Sequence, residues 1–154
     1  MKAVVNRRLI FVLLWAVLLS ACGAQAGDPH PPELMLGSDT CEECGMLISE
    51  AKFAAATFTE DGHTHKFDDL AEMFVFQAKH PEDVVKAWFV HDYNTGAWLR
   101  GETAFYVRSG EVRSPMNYGT AAFEIRAAAE AFAGKTGGVV FDFEEMRAEI
   151  TTSK

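Results

Sequence analysis

Residues 39–46 read Asp-Thr-Cys-Glu-Glu-Cys-Gly-Met and gather two thiols and a thioether between Cys41 and Met46. In an exported chain such soft sulfur donors select Cu(I) over harder ions. Gly45 lets the backbone fold so that Cys44 and Met46 can face one centre. A second thioether, Met116, stands in Ser114-Pro115-Met116-Asn117-Tyr118-Gly119, a turn-rich stretch with little apolar surface to pack against. Met73 and Met146 instead fall on helical stripes and read as core. His63 and His65, two residues apart on an expected strand, face the same side. Either one could be copper's third ligand. Both together with Cys41 and Cys44 would make a zinc set, and beside the Asp61-Gly62 turn they also read as solvated surface. The bland alternative for Cys41 and Cys44 is a disulfide, which an oxidising compartment favours, although so short a loop adds little to stability. A reversible thiol–disulfide role is the other alternative. Glu42 and Glu43 between the thiols oppose thiolate formation, which speaks against a low-pKa attacking cysteine. Asp39 is a hard donor and a poor match for Cu(I).

The elements that must position these residues follow from pattern and punctuation. Residues 52–67 read as a hairpin turning at Asp61-Gly62. Asp69-x-x-Glu72 resembles a capping box opening a helix that runs to about Lys79, with Asp68 and Asp69 as helix-start charges. Leu70, Met73, Phe74 and Gln77 form its stripe. Val85–Val90 is a strand, and His91 after it is expected at the surface. In the second half, Ala97–Leu99, Ala104–Val107 and a short stretch near 111–113 read as strands. Thr120–Ala133 reads as a helix ending at Gly134, and Val139–Phe141 as a last strand. A terminal helix opens at Asp142-x-x-Glu145 with Phe143, Met146 and Ile150 on one stripe. The expected fold class is α+β: two tandem ββαβ-like units, residues 39–95 and 96–154, forming one compact body.

Residues 1–21 have a basic start and an apolar run from Leu9 to Leu19, the pattern of a secretory signal. Leu19-Ser20-Ala21-Cys22 looks like a bacterial lipobox, which makes Cys22 the expected lipidation site and several acyl chains a firm anchor. Gly23, with no aspartate at that position, resembles the sorting pattern for the outer rather than the inner membrane. Residues 22–38, with Pro31-Pro32 and small residues, read as a flexible tether. The chain has 14 Lys and Arg against 22 Asp and Glu. Taking away Lys2, Arg7 and Arg8 leaves 11 cations against those 22 acids, near −11 for the remainder. Such a body is a poor nucleic-acid partner. No Ser-His-Asp order, phosphate-binding glycine loop or paired-carboxylate site stands out, so an enzyme is not expected.

Cys44-Gly45-Met46, Phe67-Asp68-Asp69, His91-Asp92-Tyr93 and the run PMNYGTAAF at 115–123 together resemble the NosL family. The resemblance spans almost the whole chain, and Asn117 departs from it where the family more often has a small residue. It implies two ββαβ units and a copper(I)-binding lipoprotein that accompanies maturation of nitrous oxide reductase. The implied partners are a copper-delivery component of an ABC-type maturation complex and the apo reductase. Carried over residue by residue, Cys44, Met46 and Met116 match the positions implied to hold copper, with Cys41 outside the CGM motif.

Overall fold

The computed structural model describes residues 29–152. The signal segment, Cys22 and the first part of the tether lie outside the described residues.

The hairpin forms as expected. β1 (Ala55–Thr59) and β2 (Thr64–Phe67) pair antiparallel, Ala55 opposite Phe67 and Phe58 opposite Thr64. Gly62, at φ +90°, supplies the turn conformation that L side chains avoid. β3 (Val85–His91) lies on the other side of β1, and β4 (Trp98–Arg100) pairs with β3. The first sheet therefore has the order β2-β1-β3-β4. Trp98-Leu99, expected in the second half, joins the first sheet. The Asp92–Gly96 turn is tight enough to return the chain directly onto its neighbour: Gly96 N donates to Asp92 O, and the Asp92 carboxylate accepts from Asn94 and Thr95 N–H.

The second sheet has the order β6-β5-β7, from β5 (Phe105–Arg108), β6 (Thr120–Phe123) and β7 (Val139–Phe141). Residues 111–113 form no strand. Residues 120–123, expected to open a helix, are instead β6, because Thr120-Ala-Ala-Phe123 finds a full ladder on β5 and all four residues are buried. Pairing and burial override weak local helix preference here. Helix α2 then runs over Arg126–Thr136, past Gly134, and ends at Gly137 in the left-handed conformation. β5, β6, α2 and β7 reproduce the ββαβ order of β1, β2, α1 and β3, where α1 is Leu70–Lys79. A parallel bridge between Asp92 and Ala122 joins the sheets.

Alternation sends Ala55, Phe67, Trp88 and Val90 to one face of the first sheet, where α1 lies on them. Helix α3 (Phe143–Thr152) closes the same core from the other unit. Its Phe143 ring stands 5.5 Å from Phe74 and 5.4 Å from Trp88, and the Tyr106 ring joins at 6.1 Å from Phe74. Rings at these separations and tilts add stabilisation beyond their buried area. Val107, Ala121, Phe123, Ala129 and Ala133 make a smaller core under α2. The molecule is α+β, with its first helix clamped at the junction of both units. Among the described residues no helix is long and apolar enough to cross a membrane.

Candidate metal centre

The Cys-Met loop lies along the outer edge of β2, where Glu42 N donates to Lys66 O at 3.0 Å. The Lys66 ammonium reaches Asp39 at 2.8 Å, and the same carboxylate oxygen accepts from Met35 N at 2.7 Å. Asp39 is thus a brace for the loop, held below the usual carboxylate range by Lys66. Within the loop, Cys41 N donates to Met46 O and Gly45 N to Cys41 O, at 2.8 and 2.9 Å. That turn needs Gly45 at φ +72°. It aims Cys41 inward, leaves Cys44 half-buried, and leaves Met46 52% exposed.

The inward thiol meets the start of α1. Asp69 is the N-cap, its side chain accepting from Ala71 N at 3.0 Å. Asp68 instead braces the chain by accepting from Ser49 N. Glu72 does not complete the expected capping box. Its carboxylate is turned to the loop and accepts from Cys41 Sγ at 3.0 Å. The ligand atoms of Cys41, Cys44 and Glu72 all lie within 4.8 Å of one another.

Met116 arrives at the same helix end from the second unit. Its N–H donates to the Asp69 carboxylate at 3.2 Å, and the Thr120 hydroxyl lies 3.4 Å from the other oxygen of that group. The loop is closed by Asn117 N–H to Ser114 O and by Gly119 N–H to the Ser114 hydroxyl. Asn117 is the one described non-glycine residue with positive φ, at 60°. Asparagine tolerates that region better than most residues, so the departure from the family pattern is accommodated. Gly119 has no substitute: at φ +70°, an added Cβ would stand 2.4 Å from Ser109 O.

Several neighbouring groups titrate abnormally. Burial, then the bond to Glu72, pushes the Cys41 thiol up to about 12. Burial also raises Cys44 and Glu72, and the Asp69 and Glu43 charges push Glu72 further in the same direction. Burial raises Asp69 against four hydrogen bonds that act to lower it. Both thiols are therefore protonated at neutral pH, in a sulfur-lined place where carboxylates favour an incoming cation. The Lys79 ammonium nearby is already paired with Glu43.

The histidines are not brought to this group. His63 is exposed and paired with Asp61 at 3.1 Å. His65 lies against Phe76, ring centroids 5.0 Å apart, with its Nε2 3.7 Å from Asp83. His91, expected at the surface, is buried: its Nδ1 is 3.0 Å from Ala54 O and its ring lies 3.7 Å from that of Trp98. Two site residues escaped the sequence. Glu72 read as a cap, although it stands in a helix whose residues 70–76 are all buried. Tyr118 packs on the core beside Glu72 and Asp69, whose charges, after burial, raise its pKa. Its place in the Met116 loop was the signal.

The NosL family model matches residues 33–151, the span that holds every one of these side chains. The chain belongs to the NosL family. A NosL relative, the copper-binding lipoprotein NosL of Stutzerimonas stutzeri, is 27% identical over 148 residues, 89% of this chain and 78% of the relative. The crystal structure of the copper chaperone NosL from Shewanella denitrificans superposes with a TM-score of 0.67 at 22% identity, covering 77% of this chain and 96% of that one. That likeness establishes the shared NosL fold.

Proposed function

We propose that this chain is a copper(I)-binding metallochaperone and not an enzyme. It is anchored through acylated Cys22 on the periplasmic face of the outer membrane, and it serves maturation of the copper centres of nitrous oxide reductase. The observation that carries the reading is the convergence at the start of α1. The Cys41–Cys44–Glu72 group and the Met116 loop reach one helix end from two different units. Relatives named for copper binding and copper chaperoning support it. Cys44, Met46 and Met116 are the proposed soft ligands, Cys41 is a further thiol within reach, and His63 and His65 stand outside.

Cu(I) bound by two or three soft donors accepts an incoming donor before the outgoing one leaves, so transfer proceeds by ligand exchange. An open side serves this chemistry better than a closed cage, and the exposed Met46 provides one. Delivery through an ABC-type maturation complex to the apo reductase is part of the proposal, and family membership supports it. A thiol–disulfide oxidoreductase built on Cys41 and Cys44 is the competing reading. Such enzymes depress the pKa of the attacking thiol, whereas burial raises both thiols here.

The test is anaerobic titration against a cuprous chelator. The wild-type chain should take up one Cu(I) per molecule. Cys44→Ser with Met46→Leu should weaken binding at least about 100-fold, since changes even beyond the ligand shell cost 10–100-fold. Unchanged competition by that double variant would refute the site. Insulin reduction abolished by either cysteine substitution would favour the oxidoreductase.

A further inference from the structure

Seven large apolar side chains are prominently exposed among the described residues, and four of them, Met35, Leu36, Met46 and Leu47, belong to one short ribbon. Their exposure is built in. Gly37 N donates to Ile48 O, Ile48 N to Asp39 O and Cys41 N to Met46 O, while Thr40 and Leu47 form a bridge. The backbone is satisfied, and the side chains are held outward at 50–55% exposure on both arms of the ribbon. Exposed apolar side chains gathered on one ribbon among polar residues mark an interaction surface. This one contains Met46 and adjoins the half-buried Cys44 thiol. Glu33 precedes the ribbon in the chain and Glu42 lies within it, both exposed, and no ion pair to either is found among the described residues.

Resting on the copper reading above, we infer that Met35, Leu36 and Leu47 form a docking face for the protein that exchanges copper with this chain. That partner carries a soft sulfur donor within an apolar surface rimmed by Lys or Arg. Three arguments lead there. A ligand-exchange step needs the partner's donor to reach the metal beside the exposed Met46, which stands on the same ribbon as Met35, Leu36 and Leu47. A second copy of this chain is a poor occupant, because each body carries a net charge near −11 beyond residue 21, with 22 acids against 11 bases, and like charges oppose association. An anionic lipid surface is disfavoured for the same reason. A basic rim around an apolar centre complements Glu33, Glu42 and the patch, and it steers encounter in a salt-dependent way.

The experiment follows copper transfer from the loaded full-length chain, in detergent, to a lysine-flanked methionine peptide. A glutamate-flanked peptide of the same length is the control. Leu36→Ser with Leu47→Ser should slow transfer to the lysine peptide about tenfold or more, while equilibrium competition with a small cuprous chelator stays unchanged. Glu33→Lys with Glu42→Lys, which leaves the apolar side chains intact, should slow the lysine peptide and speed the glutamate one. High salt should slow the wild-type reaction. Equal rates for wild type and the leucine double variant would overturn the inference. So would a loss confined to partition into neutral phosphatidylcholine vesicles, measured in a Cys22→Ser background, or a change from dimer to monomer. Titration of the copper-free chain with the lysine peptide separates the two readings. A chain that binds no copper would refute the proposed function, whereas peptide binding insensitive to the leucine changes would refute the docking face alone.

Discussion

The contact between Cys41 and Glu72 holds a carboxylate in the core, where loss of water disfavours its charged form. Burial lifts the Glu72 pKa above its ordinary value near 4.5. Between that value and the raised one, the folded chain holds a proton that the unfolded chain has lost. Stability therefore falls as pH rises across this window, and above it the full penalty remains. Glu72→Gln keeps the acceptor for Cys41 and removes the charge. It should stabilise the copper-free protein by about 1–3 kcal/mol at neutral pH, read as a higher urea midpoint, with the gain shrinking as pH falls through the raised value toward 4.5. A destabilised variant would show that the carboxylate serves packing and not the metal. The thiols add a second pH dependence. Cys41, near 12, and the raised Cys44 are protonated at neutral pH, and copper must displace protons to bind them. Cu(I) affinity should thus climb at least about tenfold per unit between about pH 6 and pH 8. A flat profile would contradict thiolate ligation.

At the scale of elements, the same Asp-x-x-Glu pattern occurs twice with different outcomes. At α3 it closes reciprocally: Asp142 N donates to Glu145 and Glu145 N to Asp142, each at 2.9 Å. At α1 the pair divides, Asp69 capping the helix and holding the Met116 loop while Glu72 turns to the thiol. Asp69→Ala removes a cap and leaves buried donors unsatisfied. It should cost about 2–4 kcal/mol and weaken Cu(I) binding, because the Met116 segment loses its hold. Asp69→Asn, which keeps an acceptor for the cap, should retain most of both. Equal copper affinity in Asp69→Ala and wild type would remove Met116 from the site. The hairpin makes the opposite prediction. His65 is engaged with Phe76 and Asp83, and His63 with Asp61. Replacing both with alanine should therefore leave Cu(I) affinity within about threefold, under 1 kcal/mol. A larger loss would restore a histidine to the ligand set.

For the whole molecule, an acidic body is built so that its soft donors and its apolar ribbon share one end. In the proposed function, placement at a membrane depends on Cys22, which lies outside the described residues. Cys22→Ser should abolish incorporation of labelled fatty acid and move the protein from the detergent-rich to the aqueous phase on cloud-point separation. Unchanged partition would mean that acylation is not the anchor. Much of this was legible in the chain. Period-two runs set off by Asp-Gly gave the hairpin, and the 3.6-residue stripe of Phe143, Met146 and Ile150 gave α3, because local sterics and one-sided burial leave their periods in the order of residues. The clustering of Cys41, Cys44 and Met46 is likewise written in the sequence, since all three sit in a single turn. Strand β6 was not legible: Thr120–Phe123 carries no strong local preference, and the ladder on β5 assigned it. Nor could the sequence show that Glu72 faces a thiol 31 positions away or that the Met116 loop hangs on Asp69. Those contacts exist because burying the faces of two ββαβ units against α1 and α3 fixes which loops meet, and that depends on how the units pack, which no local pattern records.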